Sequence, residues 1–180
     1  MAFNVAEFRA NLIGDGARPN LFQVTLTFPT VATNGTAAGQ QVQFLAKSAQ
    51  LPGSTVGTVP LYYFGRELKF AGNRTFTDWS LQIINDESFT IRRSIESWMN
   101  AINSHTGNTR DPNATGPSGY TVDATVSQYG KTGDVLKTYK FVGLFPVDLA
   151  AIDLDWGSND TIEEYGVTFA YQWWESDTTS

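Results

Sequence analysis

The chain has 180 residues, no cysteine and one histidine. The first absence removes disulfide frameworks, thiolate zinc sites and cysteine nucleophiles together. The second leaves a Ser-His-Asp hydrolase, a histidine metal cluster and a zinc protease without enough imidazoles, because His105 stands alone beyond a helical pattern. A run of about 20 apolar residues, the length of a membrane span, is also missing. The first thirteen residues carry Phe3, Val5, Phe8 and Leu12, but Glu7 and Arg9 interrupt them. They read as a short amphipathic helix, neither signal peptide nor membrane insertion. Basic charge is scarce as well: the formal net charge is -6 and the sequence pI ≈ 4.6, so ordinary nucleic-acid binding through phosphate contacts is disfavoured.

The remaining chemical motifs fail on spacing. Gly130-Lys131-Thr132 resembles the end of a phosphate-binding loop, but Thr125 stands where the required glycine belongs and the context is strand, turn, strand. Asp153, Asp155, Asn159 and Glu164 fit four positions of a calcium-loop template, whereas Gly157 and Ser158 break it. Tryptophans invite a sugar-stacking reading, yet Trp79, Trp98 and Trp173 fall on apolar faces and belong to core packing. No catalytic, cofactor-binding or metal-binding residues are assigned. The chain does not read as an enzyme.

Patterning is informative. In residues 21–28, Phe22, Val24, Leu26 and Phe28 alternate with Gln23, Thr25 and Thr27, the period of a strand with one buried face. The same period recurs at Trp79, Leu81 and Ile83, at Tyr120, Val122, Ala124 and Val126, and at Tyr165, Val167, Phe169, Tyr171 and Trp173. Ile91, Ile95, Trp98 and Ile102 recur at helical spacing, with Asp86 or Ser88 placed to cap the first turn. Residues 34–39 read as a hairpin loop leading to a strand at 41–49, and residues 135–144 as a strand that Phe145-Pro146 breaks. Residues 48–64 read as a protruding loop that rejoins the sheet at 67–70, and residues 106–119 as a flexible loop. The expected fold is mainly β: an antiparallel two-sheet sandwich or barrel with one flanking α-helix, a single domain over residues 1–180 with an N-terminal arm at 1–16.

Two of these strands, 41–49 and 120–128, are polar along one face. Such edges are normally paired or covered. Either a partner outside the chain completes them or the chain is a monomer with one wet sheet face.

Several segments in register resemble the tail tube proteins of contractile-tailed (myovirus) bacteriophages. They are Ala17-Arg18-Pro19-Asn20-Leu21-Phe22-Gln23-Val24, Leu51-Pro52-Gly53, Ala71-Gly72-Asn73-Arg74-Thr75-Phe76 with Asp78-Trp79, Asn85-Asp86-Glu87, Gly143-Leu144-Phe145-Pro146, Leu154-Asp155-Trp156 and residues 171–175. The resemblance implies a homohexamer: six copies per ring, with rings stacked into a hollow tube inside a contractile sheath. It also implies a virion tail location, assembly in the host cytoplasm, and baseplate, tail terminator and tape measure proteins as partners. DNA would pass through the lumen during genome ejection without sequence-specific binding.

On that resemblance, Gln41, Gln43, Thr121, Asp123, Thr125 and Ser127 are expected to face the lumen. Ring stacking falls to residues 1–16, with Phe3 and Phe8, and to the 48–64 segment, with Ser54, Thr55, Val56 and Gly57. Arg92, Arg93 and Glu96 would contact a neighbour or the sheath, unless that helix face is simply solvated. The inner tube of a contractile injection or secretion system that delivers protein has the same pattern. A monomeric β-sandwich ligand-binding module is the alternative of another class.

Overall fold

The computed structural model describes residues 4–179. The alternating segments form strands where their period predicts: β1 (Phe22–Leu26), β5 (Trp79–Ile84), β6 (Val122–Tyr129) and β8 (Glu164–Ala170). A seven-stranded antiparallel path runs β1-β6-β7-β8-β5-β2, where β7 is Val135–Leu149 and β2 is Ala46–Ala49, and β9 (Trp173–Ser176) pairs with β7. The fold is thus mainly β and antiparallel.

Strand β7 is longer than its sequence suggests. Phe145-Pro146 does not break it. Instead the chain bends at Gly143, whose φ of 68° is open to glycine and strained for other residues, and continues into a second sheet. Its first half pairs with β6 and β9, and Phe145 to Leu149 pairs with β8. β7 is therefore shared by two sheets whose inner faces enclose Trp79, Leu81, Phe141, Leu144, Val167 and Phe169, all essentially inaccessible. The Trp79 ring lies 4.6 Å from Phe141 and 5.7 Å from Phe169, aromatic packing that adds to simple area burial.

The last strand pattern also divides. Expected as one ladder from Tyr165 to Trp173, it slips by one residue at Gln172, whose amide donates to the Val142 carbonyl at 3.0 Å. After the slip Trp174 turns inward against Tyr139, at 5.5 Å, and Trp173 turns out, 46% exposed. Trp173 is therefore not a core residue.

Helix α3 (Thr90–Ile102) buries Ile91, Ile95 and Trp98 as its spacing requires. The cap differs from expectation. Ser88 and Asp86 hydrogen-bond each other, Ser88 also meets the Thr90 hydroxyl, and the N-cap is Phe89 in a left-handed conformation with no side-chain cap.

A second helix stands where a hairpin loop and the first half of the 41–49 strand were expected; only 46–49 of that strand forms, as β2. α2 (Gly35–Leu45) buries Ala38 and Val42, four residues apart, and packs on β1 and α3. Its glycines are packing residues. A Cβ on Gly39 would lie 2.9 Å from the Leu26 carbonyl oxygen, and one on Gly35 would lie 2.7 Å from Phe28 Cβ. The sandwich thus has two substantial helices where the sequence suggested one. Residues 106–119 carry a 3-10 turn at Pro112–Ala114 and enter the four-residue α4 (Pro117–Tyr120), with Ala114 buried.

Candidate assembly surfaces

Strand register decides which side chains share a face. On β6, Ala124 and Val126 point into the core, so Asp123, Thr125 and Ser127 point out. Their cross-strand partners lie on the same outer face: Thr25 opposite Thr125, Gln23 opposite Ser127, Lys140 opposite Thr125 and Glu175 opposite Lys140. The face is knit by polar contacts. Lys140 Nζ lies 2.8 Å from Asp123, the Ser127 and Thr138 hydroxyls are 2.9 Å apart, and the Tyr129 hydroxyl donates to Gln23 Oε1 at 2.7 Å. Asp123 also accepts from the Gly143 amide at 3.2 Å, which ties this face to the bend in β7.

Partial burial raises the Asp123 carboxyl, but hydrogen bonds from Lys140 and the Gly143 amide, with the Lys140 charge, outweigh it and leave the group below its ordinary value. The same bond to Asp123, and the Asp123 charge, push the Lys140 ammonium up. The charge of Asp123 is therefore balanced locally.

Three of the six expected lumen residues, Asp123, Thr125 and Ser127, form one surface. Thr121 precedes it, donating its hydroxyl to Pro117. Gln41 and Gln43 belong to α2, not to a strand, and two residues along a helix diverge by about 200°. Gln43 reaches the polar face, accepting from Gln23 Nε2 at 3.3 Å, whereas Gln41 turns away with its Oε1 buried and unpartnered among the described residues.

Residues 48 and 49 of the 48–64 segment end β2 and pair with β5; the rest protrudes, but it does not rejoin the sheet. β3 (Thr55–Tyr63) and β4 (Arg66–Thr75) form a separate two-stranded ribbon with nearly every residue exposed. Ser54 precedes it, and Thr55, Val56 and Gly57 form its base, with a register shift after Val56. Nine strand residues reach about 30 Å. Register places Val59 opposite Phe70 and Leu61 opposite Leu68, so one face of the ribbon is apolar, while Pro60 with Lys69 and Tyr62 with Glu67 occupy the other. The four apolar residues are 44–55% exposed. The sequence signal for that face is the Val59, Leu61, Leu68, Phe70 alternation, which Gly57 and Pro60 obscure. The base is held firmly: Trp79 Nε1 donates to the Gln50 carbonyl at 2.9 Å and Trp174 Nε1 to that of Gly53 at 3.1 Å.

In the N-terminal arm, α1 (Val5–Asn11) buries no residue, and Val5, Phe8 and Ile13 are exposed. Phe3 lies outside the described residues. On α3, Arg92 is committed internally: it pairs with Glu96 at 3.0 Å, donates to the Ala150 carbonyl at 3.2 Å and sits 5.1 Å over the Tyr165 ring. Arg93 is the exposed cation of that helix. A further surface is marked in the sequence only by a broken calcium-loop template and by the resembling segment Leu154-Asp155-Trp156. Between β7 and β8, residues 150–163 expose Leu154 and Ile162, and Trp156 is 100% exposed.

The sequence profile of the family described as phage tail tube protein matches residues 17–177. The tail tube protein gp19 of Enterobacteria phage T4 is 33% identical over 168 residues, covering 93% of this chain and 96% of the relative. Among solved structures, the tube terminating cap of the anti-feeding prophage superposes with a TM-score of 0.64 at 19% identity, covering 91% of each chain. A chain of the PVC extracellular contractile injection system sheath-tube complex does so with a TM-score of 0.60 at 16% identity, covering 98% of this chain and 99% of the other. At these identities the structural likenesses speak to the fold alone.

Proposed function

This chain belongs to the phage tail tube protein family, and from that premise we propose that it acts as a single-domain ring subunit. Six copies close a ring, and rings stack into the inner tube of a contractile tail. The observation that carries this reading is the β3-β4 ribbon. An isolated two-stranded hairpin is marginal in water, and this one holds out an apolar face that the described residues of its own chain leave uncovered. It needs a neighbour.

The polar face of β1, β6, β7 and β9 is our candidate for the lumen wall. If each subunit lends four strands, about two dozen strands spaced about 4.8 Å and tilted about 40° give a wall about 50 Å across. That leaves about 40 Å inside side chains, enough for a duplex about 20 Å wide. The face offers hydroxyls, amides and locally balanced charges, which DNA can pass without being held. A tape measure protein would occupy the same lumen before ejection. Outside it, Arg93 and Glu96 of α3 are candidates for the sheath or a neighbouring subunit, while baseplate and terminator cap the two ends of the stack. The N-terminal arm, with Phe8, joins the ribbon in stacking.

Negative-stain microscopy of the purified chain, alone and with a baseplate initiating complex, tests the reading. Rings or tubes are expected; compact single particles under both conditions would overturn it. Leu61→Ser with Phe70→Ser should give a subunit that folds, as shown by circular dichroism, and does not elongate.

A further inference from the structure

Two surfaces of this chain complement each other in charge, apolar content and position. Residues 150–164 contain Asp153, Asp155, Asp160, Glu163 and Glu164 and no basic residue, around exposed Leu154, Trp156 and Ile162. The ribbon carries Arg66, Lys69 and Arg74 against Glu67 alone; Arg66, opposite Tyr63, lies on its apolar face, and Lys69 and Arg74, opposite Pro60 and Val56, lie on the other. Neither Arg66 nor Arg74 has an ion-pair partner among the described residues, and neither do Asp153 and Asp160.

Strand β5 fixes their positions. The ribbon enters the sheet at the Trp79 end of β5, whereas the acidic segment delivers its last residue to the other end, where Ile84 pairs with Glu164. Six strand residues place the two ends about 17 Å apart. A basic, apolar arm thus leaves one end of the sheet and an acidic, apolar receptor the opposite end. A contact between unlike surfaces of identical chains is heterologous and propagates head to tail.

We infer that the ribbon of one copy docks on the 150–164 segment of the next copy, with Trp156 packed on the Val59, Leu61, Phe70 face, one of Asp153 and Asp160 meeting Arg66 on that face, and the other meeting Arg74 around the edge of the ribbon's base. This rests on the tube reading and names the receptor for the arm. It also covers Leu154, Trp156 and Ile162, which the described residues of their own chain leave exposed.

The test is charge exchange followed through elongation. One variant carries Arg66→Glu and Arg74→Glu; a second carries Asp153→Lys and Asp160→Lys, leaving the local hydrogen bond from the Gly157 amide to Asp155 intact. Each is expected to keep the wild-type circular dichroism spectrum and to elongate slower by about ten-fold or more, and the chain carrying all four should recover most of the rate. Wild-type rates in both variants, or a four-fold variant no faster than either parent, would overturn the docking. So would loss of sheath binding with normal elongation, which would assign the ribbon to another partner.

A second readout covers a variant that misfolds. With no native cysteine, chains carrying Leu61→Cys mixed with chains carrying Ser158→Cys should form disulfide dimers in assembled tubes. Homodimers of either kind alone, or none, would refute the contact. Failure of the wild-type chain to form rings or tubes would instead strike the tube reading itself.

Discussion

At the scale of single residues, the polar sheet face depends on Asp123, which joins Lys140 to the backbone at the Gly143 bend. Its folded carboxyl lies below the unfolded value, so the stability it contributes is present above the ordinary carboxylate range and is lost as pH falls through the folded value. Lys140, raised by the same partner, loses its share only as pH rises through its own elevated value. Asp123→Asn should therefore melt below wild type at pH 7, and the gap should narrow toward pH 3, in paired thermal melts. A gap independent of pH would remove the ion pair from the account. Trp98 is a harder constraint. It is wholly buried, packs edge-on to Phe28 and donates to the Tyr120 carbonyl at 2.7 Å. Trp98→Phe leaves that carbonyl unpaired and a small cavity, and should cost about 2–4 kcal/mol in urea unfolding. The inward roles of Trp79 and Trp98 were legible because each falls on a periodic apolar face. That of Trp174 was not, because the one-residue slip at Gln172 is set by a backbone bond to Val142 that no local pattern encodes.

At the scale of elements, legibility follows how local the cause is. β1, β5, β6 and β8 announce themselves because one face is core and the other wet, and α3 because its apolar residues fall on one side. α2 stayed hidden behind Gly35 and Gly39, which read as loop residues. Their reason is tertiary: the helix lies so close over β1 that a methyl group has no room. Helix propensity alone favours alanine over glycine by about 1 kcal/mol. Gly39→Ala should nevertheless destabilise the chain by about 1–3 kcal/mol, because the atom it meets is the Leu26 backbone carbonyl, which cannot move without disturbing β1. Denaturant midpoints of the two chains decide this, and a stabilised variant would mean that α2 can lift off the sheet. The ribbon was legible as a protrusion but not as a two-faced arm, since its pairing emerges only from the register of β3 against β4.

At the scale of the whole molecule, the net charge of -6 is not spread evenly. Five acidic residues and no basic one lie in residues 150–164, while the polar sheet face holds Lys140 between Asp123 and Glu175. The acidity read from composition thus concentrates at one end of the sheet, opposite the basic ribbon, and bears on how copies meet more than on what passes along the sheet. Opposite charges steer encounter over a Debye length, about 10 Å at 0.1 M salt and about 3 Å at 1 M, whereas the apolar contact they guide is indifferent to screening. Growth and persistence should therefore respond differently to salt. Elongation, followed by light scattering from a fixed number of initiating complexes, should slow steeply as salt is raised from 0.05 to about 0.5 M. Tubes already formed should survive the same salt, because the Trp156 and Leu61 surfaces are then buried and hold the copies together. Tubes that dissolve on addition of salt would show that charge alone joins them, and growth unaffected by salt would separate the acidic segment from assembly.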